Sequence, residues 1–186
     1  MGRNLPNLLT WARILAAPAT GLVFLAGQDP AAHGVAFALF TAAGLTDFLD
    51  GWLARRLGQE SALGRMLDPV ADKAMVTIAL AALMAVRGPD PWLVLPALAI
   101  FLREVLVAGL REHLGAVKLH VTRAAKWKTT AQLVAVGGLL LAGALPGAAW
   151  LGPAALALLW LAAGLTVWTG FDYMWRATPY LRGEGR

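Results

Sequence analysis

Cysteine is absent from the chain. That excludes disulfides, zinc–thiolate centres and thiol nucleophiles. Charge is scarce as well: only 15% of the 186 residues are Asp, Glu, Lys or Arg, against about 25% in an ordinary soluble domain. So few charges could not cover the surface of a soluble globule of this length. Disorder is excluded because it requires low hydrophobicity, whereas 59% of the residues are apolar and mean hydropathy is +0.63. Repeats, low-complexity tracts and linkers long enough to divide domains are missing, so residues 1–186 read as a single domain. What remains is the composition of a bilayer-embedded protein. The formal charge of +5 suits a basic membrane protein facing a cytoplasm, and no nucleic-acid partner is expected.

The charge-free runs locate the membrane. The longest, Thr129 to Phe171, has 43 residues. A helical span needs roughly 20 residues, so this run holds two spans, divided at Gly143-Ala144-Leu145-Pro146-Gly147 and Gly152-Pro153. The whole chain then reads as all-α, a polytopic membrane protein with six transmembrane helices. Their expected limits are Leu8–Ala26, Ala32–Leu53, Met66–Val86, Trp92–Leu114, Ala124–Leu145 and Trp150–Trp175. Asn7 is the expected N-cap of the first. Alternation puts thirteen cations, Arg13 among them, on one side, and only Arg87 on the other. By the positive-inside rule both termini are cytoplasmic. The first apolar stretch carries Arg13 and Pro18 and lacks a small-residue cleavage pattern, so it reads as a span rather than a cleaved signal.

Six of the eleven acids have ordinary places. Asp29 and Asp90 fall in outer turns, Glu60 in a cytoplasmic link, Glu184 in the tail, and Glu112 and Asp172 near inner helix ends. Asp47, Asp50, Asp68, Asp72 and the deeper Glu104 need a reason. An ionised carboxylate inside a span costs roughly 3 kcal/mol or more, so function is the default explanation. Asp47 and Asp50 are i,i+3; Asp68 and Asp72 are i,i+4. Each pair shares a helix face. A short link joins the two helices, which are therefore expected to be antiparallel neighbours whose acids converge. Four carboxylates repel unless a cation compensates them. With no cysteine in the chain and no histidine in this segment, oxygen ligation of Mg²⁺ or Mn²⁺ follows, with room for two ions. Gly51 and Gly64 allow close backbone approach, and Arg55 suits a phosphate.

Written out, the segment is Asp47-x2-Asp50-Gly51-x2-Ala54-Arg55-x8-Gly64-x3-Asp68-x3-Asp72. It resembles the complete signature of the CDP-alcohol phosphatidyltransferase family, with no gap shifted. The resemblance implies a homodimer with a metal-dependent site open to the cytoplasmic leaflet, and release of CMP from a CDP-linked donor. It assigns Asp47, Asp50 and Asp68 as metal ligands and Asp72 as the general base, which also touches metal. It puts Gly51, Ala54 and Arg55, with Asp47, at the nucleotide. The opening, Leu5 to Arg13, is similar to the family's opening and adds Asn7 and Thr10 to the donor site. Leu67 to Lys73, Arg103-Glu104, Leu110-Arg111-Glu112 and Lys126 to Gln132 resemble the bacterial branch that joins CDP-diacylglycerol to sn-glycerol 3-phosphate.

That acceptor is itself an anion and requires a second basic site. Arg103, Arg111, Lys126 and Lys128 are the candidates. Arg103 lies eleven residues into its helix from Trp92, about 16 Å by helix rise. Such depth calls for a bound anion or for Glu104 as partner. The alternatives are a family member with another acceptor (a cardiolipin, phosphatidylinositol or phosphatidylserine synthase) and, in a different class, an ion-coupled transporter. Transporter sites lie near the midplane at broken helices, whereas these acids cluster at cytoplasmic helix ends. The last third of the sequence offers hydrophobic character alone.

Overall fold

The computed structural model describes the backbone of residues 5–57, 62–115 and 123–182, and the side chains of residues 10–46, 64, 66–115 and 127–182. Six helices account for nearly all of it: α1 (Leu5–Ala26), α2 (Pro30–Leu57), α3 (Ala62–Arg87), α4 (Pro91–Leu114), α5 (Arg123–Ala144) and α6 (Leu151–Leu181). Among the described residues there is no strand. By length and composition, Met66–Arg87, Pro91–Leu114 and Leu151–Leu181 can each cross a bilayer, while Thr10–Ala26 and Pro30–Thr46 are shorter apolar stretches.

Local chemistry sets the helix ends. Asp29 accepts from the Ala32 amide at 2.8 Å, and Asp90 from the Trp92 amide at 3.0 Å. The two outer-turn acids are therefore N-caps, satisfying amides that a helix start leaves open. Asn7 is not a cap. Helix α1, described from Leu5 on, already contains it.

The packing order departs from the sequence-based expectation. Helix α1 packs extensively on both α2 and α3, whereas α2 and α3 touch each other only marginally among the described residues. Helix α1 thus stands between the two helices expected to be neighbours. Gly21 lets it approach α3 closely: a Cβ there would meet Ile78 Cγ2 at 3.2 Å. From α2 the bundle continues through α5 and α6 to α4, while α3 meets α4 and α5 along a lightly packed seam. The core is built from small and aliphatic residues, including Ala36, Ala79, Leu80, Leu83, Ala97, Leu139 and Leu159. Leucines and tryptophans are left on the outside, among them Leu15, Leu25, Leu102, Trp168 and Trp175. An apolar exterior over a close-packed small-residue interior suits helices surrounded by lipid.

Candidate active site

Two rungs join α1 to α3. Thr10 Oγ1 donates to Asp68 Oδ1 at 3.0 Å. Arg13 Nη1 donates to Asp72 Oδ1 at 3.3 Å. The i,i+3 spacing on α1 matches the i,i+4 spacing on α3 because the two helices run parallel. Thr10 is 2% exposed and Arg13 fully buried, so both reach the aspartates from inside the bundle. Arg13 had been counted with the leaflet-facing cations, but it is the buried partner of Asp72. Removing one member of such a pair strands the other charge, at a cost of about 3–5 kcal/mol where both are buried. Asp72 is 39% exposed, so its own share of that cost is reduced by solvent.

Asp68 and Asp72 therefore form an oxygen pair one helical turn apart, half-buried and oriented from α1. An all-oxygen pair with no sulfur or imidazole suits a hard divalent cation. Among the described residues no third His, Cys, Asp or Glu joins it. Asp47, Asp50, Gly51, Ala54 and Arg55 lie on α2 as it runs toward the start of α3. Their side chains, and those of Asn7 and Lys126, lie outside the described residues.

A second cluster centres on Glu104. Lys128 Nζ donates to Glu104 Oε1 at 2.6 Å, Arg103 Nη1 donates to the same oxygen at 2.9 Å, and Lys73 Nζ stands 3.5 Å from Oε2. Three cations from α3, α4 and α5 thus share one carboxylate. The depth of Arg103 is explained by this partner. Lys73 was absent from the expected site, because a lone lysine within a span gives no sign of what it meets across the bundle.

The two clusters open into one cavity of about 190 Å³ at the α3–α4–α5 seam. Asp72 and Lys73 line it from α3, Arg103, Glu104 and Arg111 from α4, and Lys128, Thr129 and Gln132 from α5. Four cations here face two carboxylates, and Arg13 further compensates Asp72. The wall carries a surplus of two positive charges, set beside an aspartate. A phosphate monoester, at about −1.5 to −2 near neutral pH, complements that surplus.

A model of the CDP-alcohol phosphatidyltransferase family matches residues 3–168. A protein of Cereibacter sphaeroides named CDP-diacylglycerol–glycerol-3-phosphate 3-phosphatidyltransferase is 44% identical, over 99% of this chain and 100% of its own length. Proteins of the same name from Pseudomonas fluorescens and Escherichia coli are 40% and 37% identical. The first match covers 98% of this chain and 94% of the relative; the second covers 92% and 93%.

Proposed function

We propose that this chain, which belongs to the CDP-alcohol phosphatidyltransferase family, transfers the phosphatidyl group of CDP-diacylglycerol to sn-glycerol 3-phosphate. The products are phosphatidylglycerophosphate and CMP. The observation that carries the acceptor is the cavity at the seam, where Asp72 shares a wall with Lys73, Arg103, Arg111 and Lys128. A site for a neutral alcohol such as inositol would have no use for that surplus of positive charge. Glu104 is shared among three of these cations, and among the described residues Arg111 has no carboxylate beside it in the wall, so a bound dianion complements the surplus.

In this reading Arg103, Arg111, Lys126 and Lys128 hold the acceptor phosphate, and Lys73 assists through Glu104. Charge-assisted contacts to a phosphate, bidentate where arginine makes them, fix the position of the rest of the molecule. A hydroxyl of the acceptor then faces Asp72. Asp72 takes its proton as the oxygen attacks the lipid-bearing phosphorus. The new P–O bond forms, the bond from that phosphorus to the CMP oxygen breaks, and CMP leaves with the electron pair. Arg13 holds the Asp72 carboxylate in one orientation, as Thr10 holds Asp68. Asn7, Gly51, Ala54 and Arg55 receive the nucleotide. Asp47, Asp50, Asp68 and Asp72 would hold Mg²⁺ or Mn²⁺, two ions in all. When bound, the metal supplies neutralisation of the donor diphosphate and stabilisation of the leaving group. Positioning and preorganised charge contribute most of the rate in such transfers.

The setting is a homodimer whose six helices all span the bacterial inner membrane, with both termini and the site on the cytoplasmic side. The cation bias, eleven against one once the buried Arg13 and Lys128 are set aside, supports that orientation.

The test supplies purified protein with CDP-diacylglycerol and a panel of sn-glycerol 3-phosphate, glycerol, inositol, serine and phosphatidylglycerol, and measures CMP release. Release with sn-glycerol 3-phosphate well above every other acceptor is expected. Preference for an uncharged alcohol would assign the chain to another branch of the family.

A further inference from the structure

Helix α6 contributes no side chain to the cavity among the described residues, yet one of its faces touches three residues that do line it. Thr166, Gly170 and Tyr173 are spaced i, i+4 and i+7, which puts them in one stripe. Gln132 Nε2 donates to Thr166 Oγ1 at 2.8 Å. The Thr166 hydroxyl proton is committed to the Ala162 carbonyl at 2.5 Å, so its oxygen accepts, and this fixes which way round the Gln132 amide sits. Gly170 faces the stem of Arg103: a Cβ at that position would lie 2.8 Å from Arg103 Cγ and 3.6 Å from Nε. The Arg111 guanidinium lies over the Tyr173 ring, 5.5 Å from its centroid. Gly170 and Tyr173 fall beyond the segment matched by the family model, which ends at residue 168.

We infer that the Thr166–Gly170–Tyr173 face of α6 positions Gln132, Arg103 and Arg111 for the acceptor, and so acts on acceptor use through residues it does not itself belong to. The glycine is the sharpest element. Cγ is one bond from Cβ, so a methyl group at 170 cannot be avoided by moving the far end of the arginine. The whole side chain must change its first torsion, which carries the guanidinium several ångströms. The tyrosine works differently. Its ring face attracts the cation and limits the orientations of an otherwise exposed side chain. The threonine sets an amide that borders the same cavity.

The inference rests on the acceptor site proposed above, and a double-mutant cycle separates the two. Steady-state kinetics are measured for wild type, Gly170→Ala, Arg103→Ala and the double variant, varying sn-glycerol 3-phosphate at saturating CDP-diacylglycerol and then the reverse. Gly170→Ala is expected to raise the acceptor KM about tenfold and leave the donor KM unchanged. In the Arg103→Ala background, where the clashing atom is gone, the same substitution is expected to add less than twofold. A parallel pair tests Tyr173. Phe keeps the ring and most of the acceptor affinity, whereas Leu raises the acceptor KM roughly two- to fivefold, and that effect disappears in Arg111→Ala. If Arg103→Ala itself leaves the acceptor KM unchanged, the acceptor site is wrong. If Arg103→Ala raises it but Gly170→Ala does not, or acts equally in both backgrounds, the role of α6 is wrong. Should Gly170→Ala raise both KM values together, the glycine serves folding alone, which also overturns the inference. Equal acceptor kinetics for Tyr173→Phe and Tyr173→Leu would remove the tyrosine from it.

Discussion

Replacing Glu104 by Gln is the perturbation that most directly tests the charge arrangement. The change is nearly isosteric, so it removes charge without opening a void. Three cations lose their shared partner: Lys128 at 2.6 Å, Arg103 at 2.9 Å and Lys73 at 3.5 Å. The Lys128 and Arg103 side chains are only 6% and 12% exposed, so water cannot replace the carboxylate for them; Lys73, at 36%, is largely served by solvent. Breaking a buried pair by removing one partner costs about 3–5 kcal/mol. For a chain of this size each kcal/mol lowers Tm by about 2–4 °C, so a loss on the order of 10 °C is expected in thermal unfolding of detergent-solubilised protein. A phosphate anion entering the cavity should then take over the missing charge. Ligand at 100 times its Kd stabilises by about 2.7 kcal/mol, and each tenfold gain in affinity adds about 1.4 kcal/mol. Saturating sn-glycerol 3-phosphate should therefore raise the Tm of Glu104→Gln by several degrees more than that of wild type. An unchanged Tm would show that the cluster carries no net stabilisation. An equal ligand-induced rise in both proteins would refute the claim that the anion binds among these cations.

Three further outcomes are expected. Chelation of divalent ions should abolish CMP release and Mg²⁺ or Mn²⁺ should restore it; full activity in verified metal-free enzyme would rule out the metal role of the aspartates. Asp72→Asn should lower kcat by about 10²–10⁴ with CDP-diacylglycerol affinity largely kept, as measured by single-turnover CMP release and donor binding; near-normal turnover would mean that another base acts. Arg103→Ala, Arg111→Ala and Lys128→Ala should each reduce acceptor kcat/KM by about one to two decades at saturating donor. Arg103→Lys should not restore it where a planar fork is used, and unchanged acceptor kinetics in all three alanine variants would dismiss the pocket.

How far the sequence discloses this arrangement depends on which signal survives in lipid. Helix positions survive well. Charge-free runs mark the helices, and the limits differ by a few residues in part because capping at Asp29 and Asp90 decides the ends. Helix rotation survives poorly. In a soluble bundle the apolar stripe points inward, but here Leu15 and Leu25 face outward while Leu80 and Leu83 face inward, so hydropathy does not tell one face from the other. That is why α1 could not be read as standing between α2 and α3. The polar residues carry what orientation there is. The cost of Asp68 and Asp72 in a membrane made them the candidates for a site, and the depth of Arg103 pointed to Glu104, which it meets at 2.9 Å.

A cation near a helix end is harder to read, because a leaflet-facing charge and a buried partner look the same in one dimension. Arg13 was read as the first and is the second. The distinguishing trace was its spacing from Thr10, which repeats the interval between Asp68 and Asp72 to within one residue. Two parallel helices can exchange polar contacts rung by rung only if their spacings agree. Here a hydroxyl and an arginine on one helix meet two acids at a matching interval on another. Arg13 is thereby reassigned from topology to its pair with Asp72, and with Lys128 buried against Glu104 the count of cations assigned to the inner leaflet falls by two. The charge bias keeps its sign, since eleven against one still points the same way. Asp72, the proposed general base, is thus held by a buried cation.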